Sequence, residues 1–215
     1  MLRHAHDKQT LVSSCDQQRR KRRTATEPVS DTPMGSREQI IPLSAEWTST
    51  ANPRSGAQVR IRPLRPDDRE REIEFVNSLS EQSRYFRLFT PLKFLPPHLL
   101  DQLMDIDYDR RMALVATVER SGAEQFVGIA RYAETDQPGS AELGITVTDA
   151  WQHCGIARLL MAELMRFAQW RGFRQLTGIV LPQNHRMIAL AKSLGFAITY
   201  DPIDHLTRIC RDLDP

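Results

Sequence analysis

Val147-Thr148-Asp149-Ala150-Trp151-Gln152-His153-Cys154-Gly155-Ile156-Ala157-Arg158 reads as the end of a strand, a short turn and the start of a long helix. The first turn of a helix carries backbone N–H groups with no acceptor inside the helix. With the helix dipole they form a site for an anion such as a phosphate or pyrophosphate. Gly155 and Ala157 are small, so a bulky ligand can approach the backbone, and Gln152 and Arg158 can add donors. The stretch has no G-x-x-x-x-G-K-[ST] loop and no G-x-G-x-x-G fingerprint, which excludes an NTPase cradle and a dinucleotide fold of the usual kind. His153 and Cys154 sit beside the same turn. A helix N-terminus lowers a thiol's pKa, so Cys154 has the chemistry of an acyl-accepting nucleophile.

Working outward, Ile156, Leu160, Leu164 and Phe167 recur at helical spacing after the turn, and Gly172 stops the helix. Leu176–Leu181 reads as a strand, Asn184 as the cap of a second helix, and Gly195 as its end. Phe196–Tyr200 and His205–Cys210 can complete a sheet. Before the turn come three strand-like runs, Met112–Glu119, Phe126–Ala133 and Ala141–Thr148. Further upstream, Gln58–Leu64 alternates like a half-buried strand, Pro66-Asp67-Asp68 opens a helix, and a short helix is expected around His98–Asp105. Ser80–Phe94 is aromatic and basic, with no periodicity that assigns it an element. This order defines an α/β (α+β) sheet domain over residues 56–215 with helices on its faces.

Gln152-x-x-Gly155-x-Ala157 between strand and helix resembles motif A of the GNAT acetyltransferase superfamily. Asn184-His185-Arg186-Met187 through Leu194-Gly195-Phe196 resembles that family's later Asn-to-Gly-Phe segment. More narrowly, Ser78–Arg87, Ile106–Asp109 with Met112–Ala116, and Ala141-Glu142-Leu143 resemble the bacterial protein lysine acetyltransferases of the Pat type. The resemblance implies a mixed, mostly antiparallel central sheet with helices on both faces, and acetyl-CoA as cosubstrate without a metal. Ile145, Thr146 and Val147 would hold pantetheine like an added strand. The amides of Gln152, His153, Cys154, Gly155, Ile156, Ala157 and Arg158 would hold the pyrophosphate, and Asn184 would line the channel. Cys154 falls on a variable position of the motif and would face phosphates rather than the acyl group.

Acyl transfer to an amine needs the neutral amine, and a lysine at pH 7 is about 3.4 units below its pKa, roughly 4.6 kcal/mol. A positioned carboxylate can collect the proton. Strand alternation puts Glu142, Gly144 and Thr146 on one face and Leu143, Ile145 and Val147 on the other. Glu142 therefore shares a strand with the pantetheine contacts, and similar proteins use this glutamate as general base. Many GNAT enzymes place a tyrosine four residues before the glycine that ends the last helix, as acid toward the thiolate. Ala191 stands there, which leaves that acid unassigned. The Arg84–Arg87 block either shapes the acceptor side or packs into the core.

The chain has 215 residues, 40% apolar and 26% charged, with a formal net charge of +2. The positive excess lies in the first 57 residues, which hold nine Lys/Arg against six Asp/Glu. Residues 1–55 are expected to form a basic, polar, disordered tail, because they bury too little apolar surface to offset backbone ordering of about 1–2 kcal/mol per residue. Ile40–Trp47 is the segment that can dock on the domain. Arg19–Arg23 can contact nucleic acid or another anionic partner, or remain a solvated run. His4, His6 and Cys15 match no standard metal spacing. The three cysteines form no disulfide pattern, no apolar h-region follows Met1–His6 so a secretory leader is not expected, and no apolar run is long enough to span a bilayer. A cytoplasmic enzyme acting on a protein or small amine is expected, with a non-catalytic acyl-CoA-sensing or interaction module as the alternative.

Overall fold

The computed structural model describes residues 47–53, 56–92 and 94–213. The disorder expected of the tail, the Arg19–Arg23 run, the His4, His6 and Cys15 group and residues 40–46 of the docking segment lie outside the described residues.

Strands β1 (Ser49–Ala51), β2 (Val59–Pro63), β3 (Arg111–Arg120), β4 (Ala123–Glu134), β5 (Ser140–Val147), β6 (Gln175–Val180), β7 (Ala197–Asp201) and β8 (Leu206–Asp212) form one sheet. Their order is β1-β2-β3-β4-β5-β6-β8-β7. Neighbours are antiparallel except β5 and β6, which run parallel. Helices α1 (Arg69–Ser78), α2 (Glu81–Leu88), α3 (Pro97–Met104), α4 (Ile156–Trp170) and α5 (His185–Ser193) cover both faces.

Alternation along β3 shows how one sheet serves two cores. Met112, Leu114 and Ala116 face the larger core with Ile156, Leu160, Leu164 and Phe167 of α4. Ala113 and Val115 face Phe75 and Val76 of α1 in the smaller one. The spacing of four, four and three read along α4 is thus its buried stripe. β4 gives way where α4 crosses it: a methyl group added at Gly128 would stand 3.0 Å from Leu160 Cδ1.

Three features differ from the sequence expectation. Residues 47–53, assigned to the tail, belong to the domain. β1 pairs with β2 from Ser49 opposite Ile61 to Ala51 opposite Val59. Trp47 packs edge-on to Phe167 at 4.6 Å between ring centroids. The polar composition hid a sheet-edge strand held by main-chain bonds and by one aromatic anchor.

Second, Arg62, on what reads as the polar side of β2, is 1% exposed. It donates to both Asp68 oxygens at 2.6 and 2.9 Å and to both Glu124 oxygens at 2.9 and 2.6 Å. Two carboxylates make its burial tolerable, because a lone buried charge would be strongly destabilising.

Third, the unassigned aromatic and basic stretch contains α2. Ser80 caps it by accepting a hydrogen bond from the Ser83 N–H at 3.2 Å, and Phe89 ends it in a left-handed conformation. Its inward side carries Arg87, a cation where a periodicity argument looks for an apolar residue.

Candidate active site

β5 and β6 pair over three rungs only, Ser140 with Gln175, Ala141 with Leu176 and Glu142 with Thr177. After that the strands part. β5 stays with β4 as far as Val147, and β6 stays with β8 as far as Val180. The edge of β5 over Gly144–Val147 therefore has main-chain groups facing a gap, with no ladder partner among the described residues. Open strand edges accept an extended ligand as an added strand.

The turn after β5 closes one end of this gap. Thr148 donates its N–H to Val127 at 2.9 Å, and Asp149–Trp151 makes a single 3-10 turn. His153 and Gly155 then take left-handed backbone conformations, at φ 63 and 93. Helical bonding starts with the Leu159 N–H on the Gly155 carbonyl at 3.1 Å. The amides of Ile156, Ala157 and Arg158 precede that bond and remain available. A Cβ on Gly155 would meet nothing within 4 Å, so the backbone there is open to a ligand.

These parts line one cleft of about 550 Å³, within the range of ligand and cofactor sites. Ile145, Thr146 and Val147 line it from β5, and Gln152, His153, Gly155, Ile156, Ala157 and Arg158 from the turn and α4. Asn184 lines it from the start of α5, while its Oδ1 caps that helix by accepting from the Met187 N–H at 3.1 Å. Two expected residues do not line it. Cys154 packs against the larger core, with its thiol 3.5 Å from the Gln152 carbonyl, so its side chain faces away from the cleft and the nucleophile reading has no support. Glu142 is exposed on the face of β5 that carries Gly144 and Thr146, at the last rung before the strands part.

Sequence reasoning leaves the wall opposite the turn open between the acceptor side and the core for Arg84–Arg87, and does not read Ser83 or Leu190 as part of it. Ser83, Phe86 and Arg87 of α2 line the cleft, as do Arg186, Met187 and Leu190 of α5. A hydrogen-bonded chain ties these walls together. Arg186 donates to Gln152 Oε1, and Gln152 Nε2 reaches Val147 O at 3.2 Å and Ser83 Oγ at 3.3 Å. Asp149 accepts from the Ser80 N–H and hydroxyl, both at 2.9 Å, and from the Ser83 hydroxyl at 2.8 Å. Burial alone would raise the Asp149 carboxyl, but these bonds outweigh it and hold the group below the usual carboxylate range. The Ser-x-x-Ser spacing at the start of α2 was the available signal.

Arg158 and Arg186 place two guanidinium groups on the wall beside the free amides, and Arg158 also donates to Ser193 Oγ at 2.6 Å. Cations and helix-start amides together suit a polyphosphate. Ala191 is fully buried, and no tyrosine lines the cleft among the described residues. Tyr132 donates to the Asp109 carbonyl and Tyr108 to the Leu64 carbonyl. Among the described residues no cluster of His, Cys, Asp or Glu could hold a metal ion, and no helix is long and apolar enough to cross a membrane.

A parted sheet, an open strand edge and free amides at a helix start define a cleft suited to an extended ligand with a phosphate-bearing end. The family model described as the acetyltransferase (GNAT) domain matches residues 58–197, and the chain belongs to that family. GNAT domains use acetyl-CoA as cosubstrate, and the cleft fits it: a strand edge for pantetheine, free amides and two arginines for phosphates. An acetyltransferase of Pseudomonas aeruginosa is 44% identical over 149 residues, covering 69% of this chain and 80% of that protein. Acetyltransferase Pat of Mycolicibacterium smegmatis is 29% identical over 143 residues, 66% of this chain but 42% of that longer one. The solved GNAT domain of S. lividans PAT superposes with a TM-score of 0.72 at 29% identity, over 79% of this chain and 99% of that domain.

Proposed function

We propose that this acyltransferase moves the acetyl group of acetyl-CoA to the side-chain amine of a protein lysine, by direct attack while both substrates are bound. One observation carries the reading: Glu142 stands at the last rung of β5 and β6, where the open edge of β5 begins. Similarity to the two Pat proteins supports the protein acceptor.

In this reading the Gly144–Val147 edge aligns pantetheine, while the amides of Ile156–Arg158, with Arg158 and Arg186, hold the diphosphate. Glu142 takes the proton of the acceptor ammonium, directly or through one water, and so supplies the neutral nucleophile. Main-chain N–H groups of the β5 edge polarise the thioester carbonyl. Thiols ionise near pH 8.5, so the leaving thiolate can depart without a dedicated acid, in keeping with buried Ala191 at the position where many relatives carry a tyrosine.

The test is mass spectrometry of a lysine-rich proteome incubated with the enzyme and isotope-labelled acetyl-CoA. Labelled acetyl-lysine on discrete sites, absent with Glu142→Gln, is expected. Label found only on added small amines would replace the protein acceptor with a small one. Label that persists with Glu142→Gln would remove the general base.

A further inference from the structure

Arg87, near the end of α2, lines the cleft and also a small enclosed cavity of about 10 Å³ behind it. Its guanidinium lies against Gly144. A methyl group added there would stand 3.0, 3.1 and 3.2 Å from Nη1, Cζ and Nη2, near-equal distances that put the group face-on to this point of β5. A side chain at 144 would make the guanidinium give way by a few tenths of an ångström. Gly144 is two residues from Glu142, on the same face of the strand, and begins the open edge.

The buried Arg62 and the half-buried Arg131 are neutralised by contact. Arg131 is held by Glu72 at 2.8 Å and Arg62 by Asp68 and Glu124, both at 2.6 Å. Arg87 forms no ion pair among the described residues. Glu72 and Glu142 act on its charge only from a distance. Glu72 commits Oε1 to Arg131, while its Oε2 and Thr146 Oγ1 have no hydrogen-bond partner among the described residues, and both residues line the small cavity. Burial first, then Arg131, push the Arg87 guanidinium down to about 10, which leaves it a cation at neutral pH. A half-buried cation without a contacting counter-charge adds nothing by ion pairing to the stability of the fold. A site that gathers negative charge during its reaction gives such a group a use.

We propose that Arg87 is a second catalytic residue, whose guanidinium faces the acyl end of the cleft and stabilises the negative charge that builds on the thioester oxygen. The proposal rests on the acetyl-transfer reading. The amine nitrogen forms the new C–N bond, and the carbonyl π pair moves onto oxygen beside Arg87. That pair returns as the C–S bond breaks, the sulfur leaves as thiolate with the bonding pair and takes up the proton that the attacking nitrogen sheds, and Glu142 keeps the proton taken from the ammonium. Glu142 thus acts at the nitrogen and Arg87 at the carbonyl oxygen. Because no carboxylate touches Arg87, its field is not cancelled before it reaches the oxygen.

Arg87→Met, Arg87→Lys and Gly144→Ala test this, with acetyl-CoA affinity measured by calorimetry beside steady-state transfer. The expected result for Arg87→Met is a kcat lower by about 100-fold, with acetyl-CoA affinity and acceptor KM near those of the wild type. Lysine at 87 recovers part of the loss, since it keeps the charge without the fork. Gly144→Ala retains every charge but displaces the guanidinium, and lowers kcat as well, so the question is decided even if Arg87→Met fails to fold. Wild-type kcat in Arg87→Met or in Gly144→Ala, or a loss confined to acceptor KM, overturns the proposal and leaves acetyl transfer standing. Absence of transfer by the wild type overturns both.

Discussion

Glu142 pairs with Thr177 in the last parallel rung between β5 and β6. One residue thus marks where the sheet stops being a sheet and becomes a binding edge. A carboxylate there is anchored by regular strand pairing yet exposed to an incoming amine. Glu142→Gln keeps size and register and removes the carboxylate proposed as the base. The expected outcome is a kcat lower by about 10²–10⁴-fold with acetyl-CoA affinity unchanged, measured by thiol release and calorimetry.

The turn at Gly155 invites a paired substitution. Gly155 and Gly172 both have left-handed backbones, at φ 93 and 82, and at neither would a Cβ meet an atom within 4 Å. Alanine at either position should destabilise the fold by about 1 kcal/mol through backbone strain alone. Only Gly155→Ala should also weaken acetyl-CoA binding, because only Gly155 sits among the cleft amides. Thermal unfolding and calorimetry on the two variants separate the effects.

The Arg62 cluster predicts how stability depends on pH. Hydrogen bonds from Arg62, against the opposing effect of burial, hold the Glu124 carboxyl down to about 2. In Asp68 burial opposes too, and Arg62 again outweighs it and lowers the group. Carboxyls depressed in the folded state stabilise it fully above their unfolded pKa values near 4, and this stabilisation is lost as pH falls toward 2. Glu124 accounts for at most about 3 kcal/mol of that loss. Glu124→Gln should lower stability at pH 7 and flatten its decline between pH 5 and 2, read by denaturant unfolding.

Trp47 tests where the domain begins. Its ring meets Phe167 and Trp170, and the Arg166 guanidinium stands 4.3 Å from the ring centroid. Trp47→Ala should destabilise the fold by about 1–3 kcal/mol, from lost aromatic and cation–π contacts. Since these contacts lie on α4 away from the cleft, kcat should not change.

How much the sequence shows follows from where each signal comes from. The α4 stripe of Ile156, Leu160, Leu164 and Phe167 announces itself because burial on one face imposes a period, and the turn before it is legible because unpaired amides and Gly155 form a local motif. The partners of Arg62, Arg87 and Trp47 were not legible, although the sequence predicts docking of Ile40–Trp47 and an acceptor-side or core role for Arg84–Arg87. Each owes its place to partners distant along the chain: Glu124 for Arg62, Gly144 for Arg87, Phe167 for Trp47. Alternation on β5 puts Glu142 on the face of Gly144 and Thr146, but it cannot show that β6 leaves β5 one residue later. That parting is a property of two strands, and nothing local to either encodes it.

Calorimetry with coenzyme A and with pantetheine, which lacks the diphosphate and nucleotide, tests the central claim most directly. Clear association of coenzyme A with the folded protein, with pantetheine far weaker and Gly155→Ala weakened for coenzyme A alone, is the predicted result. No heat of association with coenzyme A at millimolar concentration, or equal affinity for the two ligands, would contradict the account.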